Sequence, residues 1–361
     1  MWTTVRDSKK MLMKLTLIPV LAMSSSIAFA DDAPAKPDAA SQIDTVPAGL
    51  VQLPPNSRYY SPFAFVVNKS ARTLAVWHQT GKGLTRVAEF PADLGAGSGD
   101  KKFEGDKKTP EGIYFLLEML EGNKIDFKLY GKRAFTTDYP NYFDRREGKT
   151  GSGIWLHSVP DNVPLTRGSR GCVVVRNDVI VGLDQYIRLG RTPILIQNST
   201  ETLTPPQATK LNAELATWLN NWKSAWEAKN IDAYISAYGD EFHSMDMNMN
   251  REQWKTYKTN LNSQYKTITV RLSKPAILAD RDRVIVRFLQ EYTSDQHADF
   301  GEKVLFVKRT GDQFKIVGEQ WKRETSKIAR EEIEATTDST TSTRASTDST
   351  QTHASTAESK N

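Results

Sequence analysis

Gly153-Ile154-Trp155-Leu156-His157 and Ser169-Arg170-Gly171-Cys172-Val173-Val174-Val175 decide how the first half of this chain folds. Each stretch contains a short apolar run typical of a buried strand, with a reactive side chain at one end. Gly171 allows the backbone to turn tightly just before Cys172. A histidine and a cysteine offered at the ends of neighbouring strands are the pair that thiol nucleophiles use. The two stretches therefore predict a β-rich domain that carries a Cys/His site.

The expected compartment of the protein supports a catalytic role for the cysteine. Cys172 is the single cysteine of 361 residues, so it cannot form an internal disulfide. Basic residues near the N-terminus, an apolar run from Leu15 to Ala22, and Ala28-Phe29-Ala30 predict a signal peptide over residues 1–30 and a periplasmic mature protein. An unpaired thiol in an oxidising compartment favours a nucleophile, and a buried structural cysteine is the alternative.

Further motifs surround this pair. They are Gly105-Asp106-Lys107-Lys108-Thr109-Pro110-Glu111-Gly112, Tyr139-Pro140-Asn141-Tyr142-Phe143-Asp144, Thr150-Gly151-Ser152-Gly153-Ile154 and Val175-Arg176-Asn177-Asp178. Together with His157 and Cys172 they resemble the YkuD-type L,D-transpeptidases and L,D-carboxypeptidases of bacterial cell walls over roughly residues 62–198. The chain departs from the commonest family pattern at Arg170, Ser158 and Val174, where many members carry His, Gly, and Arg or Asn, respectively.

The resemblance implies a role for each residue of the site. Cys172 would attack as a thiolate whose pKa is lowered by His157 and by the charge of Arg170. His157 would accept the thiol proton and return it to the leaving amine. The carbonyl of Ser158 would orient the imidazole, and the amides of Gly171 and Cys172 would form the oxyanion hole. This chemistry requires no metal and no cofactor.

A substrate that carries carboxylates needs cations nearby. Arg170, Arg176 and Lys107 are the nearest candidates in the sequence, with solvated surface charges as the alternative. Ser169 beside the cysteine is a further predicted substrate-binding residue. Tyr142 is predicted to wall the groove, although an aromatic residue beside a Pro-Asn turn can equally serve packing.

Composition agrees with a two-domain secreted protein. The formal net charge is +5, of which the predicted signal peptide contributes +3 (four basic residues less Asp7), leaving +2. This balance gives no support to nucleic-acid binding. Residues 31–60 are rich in Ala, Pro and Asp and are predicted to be a linker or a loosely attached N-terminal arm. Residues 61–200 are predicted to form a mostly β catalytic domain, a YkuD-like β-sandwich with short helices.

The character of the chain changes after Pro206. Aromatic and aliphatic residues fall on one helical stripe and predict a long helix, followed by shorter helices and then by several strands. They are Leu211, Leu215, Trp218, Leu219, Trp222 and Trp226. Residues 207–324 therefore predict an α+β cone, which resembles nuclear-transport-factor-2-like (SnoaL-like) domains. Residues 325–361 are rich in Ser and Thr and are predicted to be a disordered tail.

The pairing of these two domains resembles the L,D-carboxypeptidases of a cell-shape-determining branch. It predicts cleavage of the bond from meso-diaminopimelate to D-alanine in tetrapeptide stems, so that the expected partners are peptidoglycan stem peptides. Formation of diaminopimelate crosslinks and release of a stem-linked lipoprotein are alternatives with the same thioester. An inactive peptidoglycan-binding scaffold is an alternative of another class. Cell-shape or envelope proteins are possible partners of the second domain.

Overall fold

The computed structural model describes residues 44–335. The predicted signal peptide (1–30) and the chain beyond residue 335 lie outside this range. No helix within residues 44–335 is long and apolar enough to cross a bilayer.

The first domain is a curled sheet with short helices. Its strands are β1 (Val46–Pro47), β2 (Phe63–Asn68), β3 (Thr73–Thr80), β4 (Gly83–Pro91), β5 (Gly112–Glu121), β6 (Arg133–Thr137), β7 (Trp155–Ser158), β8 (Val173–Val175), β9 (Pro193–Gln197) and β10 (Thr202–Leu203). Its helices are α1 (Phe127–Tyr130), α2 (Tyr142–Arg146) and α3 (Asn177–Leu183), with 3-10 turns at Gly122–Lys124 and Asp184–Tyr186. Strands β2 to β9 form a sheet in the order β4-β3-β2-β9-β5-β6-β7-β8. The prediction of a mostly β first domain is confirmed.

Both faces of this sheet are covered, which explains the continuous apolar run in β2. Phe65 and Val67 belong to a core that includes residues of α3, and Ala64 and Val66 point to the opposite face. On that face the neighbours include Leu278 and other residues of the second domain. A strand that is buried on both faces cannot alternate apolar with polar residues.

The second domain is an α+β cone, as predicted. Its elements are α4 (Pro205–Glu227), α5 (Ile231–Ser236), β11 (Tyr238–Ser244), β12 (Met249–Asn250), α6 (Arg251–Gln264), β13 (Ile268–Leu272), β14 (Ala276–Asp280), β15 (Arg283–Ser294), β16 (Ala298–Thr310) and β17 (Gln313–Arg323). The sheet runs in the order β12-β11-β17-β16-β15-β13, and β14 also pairs with β15. The stripe of α4 is buried at Leu215, Leu219, Trp222 and Trp226. These residues form the core of the cone, together with residues of α5, α6 and the sheet.

The two domains pack directly against each other. The ring of Tyr142 on α2 stacks on Phe306 of β16, with centroids 4.5 Å apart. The Tyr142 hydroxyl donates a hydrogen bond to the carbonyl of Val317, and Arg283 of the cone pairs with Glu147. Tyr142 is therefore a packing residue between the domains, the second of the two roles that its sequence context allowed.

The two predicted flexible segments contain ordered parts. Residues 46–60 include the buried side chains of Leu50 and Tyr60, and the amide of Gln52 bonds to the carbonyl of Ile277 in the cone. Residues 327–335 form a helix that buries Ala329 and Ile333 against Tyr60 and its neighbours. The described part of the arm and the start of the tail thus differ from the expected loose segments, because a few apolar side chains suffice to anchor them.

Candidate active site

His157 lies on β7, next to β8, which follows Cys172 directly. The two strands are parallel, and His157 is opposite Val174. Cys172 precedes Val174 by two residues, so Cys172, Val174 and His157 share one face of the sheet. Cys172 thus lies directly before β8, two residues before the partner of His157 on the adjacent strand.

The backbone fixes the imidazole. Nδ1 of His157 lies 2.7 Å from the carbonyl oxygen of Ser158. A carbonyl oxygen can only accept, so Nδ1 carries the proton and Nε2 keeps its lone pair. This is the contact that the family resemblance assigns to Ser158. The ring of Tyr130 on α1 packs edge-on against the imidazole at 5.1 Å.

The thiol and the imidazole are both buried, which makes both neutral at pH 7. Cys172 is 8 % exposed, and burial raises the pKa of its thiol to about 11. Burial also lowers the pKa of His157 to about 4; the hydrogen bond to Ser158 opposes this shift, and the nearby charge of Arg167 adds to it. The expectation of a thiol pKa lowered by His157 and Arg170 is therefore wrong for this structure, because the loss of hydration outweighs nearby charges.

Gly171 is required by the turn that presents the thiol. Its φ is +131°, and a Cβ at this position would lie 2.7 Å from the carbonyl oxygen of Lys108. The Ser169 hydroxyl shapes the same turn, because it donates to the carbonyl of Cys172 at 2.7 Å and accepts from the Gly171 amide at 3.0 Å. The Gly171 amide, a predicted oxyanion donor, thus donates its hydrogen bond to Ser169 in this structure.

The predicted cations occupy different environments. Arg170 and Lys107 are exposed, and their side chains make no hydrogen bond with residues 44–335. Arg176 is half-buried, and its Nη1 donates to the carbonyls of Val163 at 2.7 Å and Asp161 at 3.4 Å. The structure therefore leaves Arg170 and Lys107 available to a ligand, whereas Arg176 is engaged within the protein.

Two charged residues that the sequence did not predict also lie near the site. Arg167 is exposed, without a side-chain hydrogen bond to the described residues, and its charge reaches His157. Asp93 is buried and accepts from the amide of Gly168 at 2.8 Å and from Arg72. Arg167 is close to the cysteine in sequence and could have been found there. Asp93 has no local signal, since its contacts lie far along the chain.

Residues 159–168, here called the cover segment, lie beside the thiol. Val159 packs with Cys172 and Val174, and Val163 and Leu165 pack against this cluster. The segment accounts for part of the burial of the thiol, whose Sγ also lies 3.6 Å from the carbonyl oxygen of Gly153.

A second candidate site is a cavity of about 260 Å³ inside the cone. Lys258 of α6 lies in its wall, with its ammonium 4.5 Å from the ring centroid of Trp226 and 4.6 Å from that of Trp254. Lys258 makes no hydrogen bond with the described residues, and burial lowers its pKa to about 7, with a smaller contribution from Lys303. Lys303 itself is paired with Glu319 at 2.5 Å.

Two other polar groups of the cavity wall lack partners. Gln290 Oε1 and Asp299 Oδ1 are buried without a hydrogen bond to residues 44–335. Buried polar atoms are normally satisfied in folded proteins. The cavity therefore combines an aromatic wall with donors and acceptors that can bond to a small polar ligand. Residues 44–335 contain no group of three His, Cys, Asp or Glu side chains that could hold a metal ion.

Comparisons with known proteins identify both halves of the chain. Residues 62–196 match the L,D-transpeptidase catalytic domain, and residues 214–320 match the Cds6 C-terminal NTF2-like domain.

Relatives of known structure extend across both domains. The structure of Bd1075 from Bdellovibrio bacteriovorus is 44% identical and covers 79% of this chain and 100% of that one, with a TM-score of 0.72. Pgp2 from Campylobacter jejuni, described as a helical cell shape determining protein, is 28% identical and covers 73% of this chain and 96% of that one, with a TM-score of 0.59.

A curated relative matches over a shorter stretch. YafK of Escherichia coli K12, whose name assigns it provisionally to the L,D-transpeptidases, is 27% identical over 128 residues, or 35% of this chain. The match spans 48% of YafK, so the chain covers about half the length of the curated relatives that it matches.

Proposed function

The chain belongs to the family of L,D-transpeptidase catalytic domains joined to a C-terminal NTF2-like domain, and from this premise we propose that it is a periplasmic peptidoglycan L,D-carboxypeptidase. It cleaves the bond from meso-diaminopimelate to D-alanine in tetrapeptide stems and releases the tripeptide. The observation that carries the proposal is the orientation of His157. Its Nδ1 is held by the Ser158 carbonyl, which leaves Nε2 as a base on the face of the sheet that carries Cys172.

The chemistry follows from these two side chains. Nε2 of His157 accepts the thiol proton, and the Cys172 thiolate attacks the carbonyl carbon at the L-centre of diaminopimelate. The C–N bond to D-alanine breaks as the imidazolium returns its proton to the departing amine, which leaves a thioester on Cys172. Water then attacks the thioester, and its products are the tripeptide carboxylate and the free thiol.

The proposed proton transfer requires a better-hydrated site than the one in this structure. A thiol with a pKa of about 11 does not transfer its proton readily to an imidazole with a pKa of about 4. Because burial causes both shifts, a better-hydrated site brings both groups back toward ordinary values and makes the ion pair accessible. Arg167 and Arg170 are exposed cations on the chain that leads to Cys172, and both suit the carboxylates of a stem peptide.

The choice of hydrolysis over crosslinking rests on architecture. Pgp2, which shares both domains, is described as a determinant of helical cell shape, and trimming of stems is a chemistry that alters wall geometry without adding crosslinks. We extend this proposal to an influence on cell shape. Crosslink formation and lipoprotein release use the same thioester and differ in the acceptor or the donor.

The proposal is tested by mass spectrometry of disaccharide tetrapeptide, crosslinked sacculi and lipoprotein-bearing sacculi after incubation with the mature protein. We expect disaccharide tripeptide and free D-alanine from the wild type and none from Cys172→Ala. New diaminopimelate crosslinks would instead establish transpeptidation, and released lipoprotein would establish the third reaction. Identical products from the wild type and Cys172→Ala would leave a peptidoglycan-binding scaffold.

The cone supports a second, binding function. Lys258 is a buried amine that makes no hydrogen bond with the described residues, and the cavity wall also carries Asp299 and Glu319, so a small polar ligand that accepts a hydrogen bond from Lys258 fits the cavity. Calorimetry of disaccharide tetrapeptide with Cys172→Ala, compared with Cys172→Ala/Lys258→Met, tests this. Equal affinity of the two proteins would exclude the cavity as the binding site. Envelope proteins remain a proposed alternative partner of this domain.

A further inference from the structure

The cover segment restricts access to the nucleophile. Val163 and Leu165 pack against the cluster formed by Val159, Cys172 and Val174, and the thiol is only 8 % exposed. An attack on a carbonyl carbon requires that this carbon come within bonding distance of Sγ. The covered thiol therefore has to be uncovered before any substrate can react with it.

The segment is attached in a manner that permits this movement. No backbone-to-backbone hydrogen bond joins residues 160–167 to the remainder of residues 44–335. Within the segment, the amide of Val163 bonds to the carbonyl of Pro160, and the amide of Arg167 bonds to the carbonyl of Pro164. The segment thus consists of local turns that can move without breaking the sheet.

Side chains from outside hold the segment in place. Nη1 of Arg176 donates to the carbonyls of Val163 and Asp161, at 2.7 and 3.4 Å. Nδ2 of Asn177 donates to the Asp161 carboxylate at 3.1 Å. Arg176 and Asn177 directly follow strand β8, which begins after Cys172, so the same short strand carries the nucleophile and the residues that hold its cover.

The other end of the segment is held by Arg72 and Asp93. Nη2 of Arg72 donates to the carbonyl of Leu165 at 3.1 Å, and the buried carboxylate of Asp93 accepts from the amide of Gly168 at 2.8 Å. A Cβ on Gly168 would lie 2.9 Å from the Cβ of Ala96, so this end is closely packed. The contrast places the movable part near Asp161 and Val163, and the pivot near Gly168.

We propose that Arg176 is a positioning residue that holds the cover segment closed over Cys172, and that opening of this segment controls access to the thiol. This proposal goes beyond the peptidoglycan reaction, since it concerns the exposure of the nucleophile to any reagent. It also gives Arg176 a role different from the substrate binding that its sequence position suggested.

The rate at which iodoacetamide alkylates the folded protein tests the proposal, because the reagent is neutral and Cys172 is the single thiol of the chain. Arg176→Ala removes two hydrogen bonds from the cover, and we expect alkylation to accelerate about fivefold or more. Arg176→Lys retains one donor for the Val163 carbonyl and should return the rate toward that of the wild type. Lys128→Ala is the matched control, because it also removes one positive charge, and the exposed Lys128 side chain makes no hydrogen bond with the described residues; its rate should stay within about twofold of the wild type.

The pH profile of alkylation separates opening from general loosening. An open cover hydrates the thiol, so the apparent pKa of Cys172 should fall in Arg176→Ala from about 11 toward its ordinary 9.0. Loss of the positive charge alone would shift this pKa upward. Val163→Ala is a second variant, used if Arg176→Ala lowers the thermal midpoint, and it should also accelerate alkylation. Unchanged rates and profiles in folded Arg176→Ala and Val163→Ala would overturn the proposal, even if the peptidoglycan reaction were established.

Discussion

The catalytic site and the cone cavity both bury an ionisable side chain, but they surround it differently. In the first domain the neutral thiol of Cys172 has a base on the adjacent strand, and that base is oriented by a backbone carbonyl. In the cone, Lys258 has aromatic rings around it and no hydrogen-bond partner among the described residues. A buried thiol beside a base suits nucleophilic catalysis, whereas a buried amine that lacks a hydrogen-bond partner suits ligand binding. The partners of a buried group therefore indicate its role better than its burial does.

The largest expected effect comes from breaking the catalytic half. His157→Gln removes the base and should lower the turnover number for tripeptide release by about 10² to 10⁴-fold. Lys258→Met, in the other domain, should leave this turnover number within about threefold of the wild type. Turnover is measured by release of D-alanine from disaccharide tetrapeptide at saturation. A loss of turnover in Lys258→Met as large as that in His157→Gln would contradict the division of roles.

A second test asks whether the two regions are stabilised as one unit. Phe306→Ala removes the aromatic ring on which Tyr142 stacks and should lower the free energy of unfolding by about 3 to 5 kcal/mol. Tyr142→Phe keeps the stacking and loses the hydrogen bond to the Val317 carbonyl, with an expected cost of about 1 kcal/mol. Urea denaturation measures both values. Equal costs for the two variants would show that the ring contact does not dominate the interface.

A third test measures how the stability contributed by Lys258 depends on pH. The pKa of Lys258 is about 7 in the folded protein and 10.5 when exposed, so the unfolded chain binds more protons between these values. The stability of the wild type therefore gains a contribution as pH rises from 7 toward 10.5 that Lys258→Met lacks. At pH 7 the variant should be the more stable of the two proteins, because the wild type carries the cost of burying the ammonium. Thermal unfolding of both proteins at pH 7 and 9.5 measures the difference, which should shrink at the higher pH. A difference that stays constant would mean that Lys258 is charged in the folded state.

The smallest expected effect concerns substrate placement. Arg167→Ala removes an exposed cation near His157 and should raise KM about tenfold with little change in kcat. The matched comparison is a substrate whose terminal D-alanine is amidated, for which the wild type and the variant should differ by less than about twofold. An equal rise in KM for both substrates would show that Arg167 does not recognise the terminal carboxylate.

The sequence was informative where the relevant residues lie close together. His157, Gly171 and Cys172 fall within sixteen positions, and the sequence predicts the two neighbouring strands at which His157 and Cys172 lie. The long stripe on α4 likewise predicted the helix that forms the core of the cone. Local spacing was sufficient in both places because each feature is built from one or two consecutive elements.

The sequence was uninformative where tertiary contacts decide the role. The cavity is lined by residues spread between Trp226 and Trp321, so no local sequence pattern predicts this cavity. The sequence leaves Tyr142 open between a groove wall and a packing residue, because its partner Phe306 lies far along the chain. Nearby charges predict a low thiol pKa, whereas burial of the thiol raises it. Hydration of a group depends on what packs over it, and a motif does not contain that information.

Trapping the thioester tests whether Cys172 is the nucleophile that cleaves the bond to D-alanine. Wild-type protein mixed with disaccharide tetrapeptide and quenched in acid should show, by intact-protein mass spectrometry, an adduct equal to the substrate minus D-alanine. Peptide mapping should place the adduct on Cys172, and Cys172→Ala should show neither adduct nor released D-alanine. Release of D-alanine by Cys172→Ala, or turnover by the wild type through an adduct at another residue, would contradict the account.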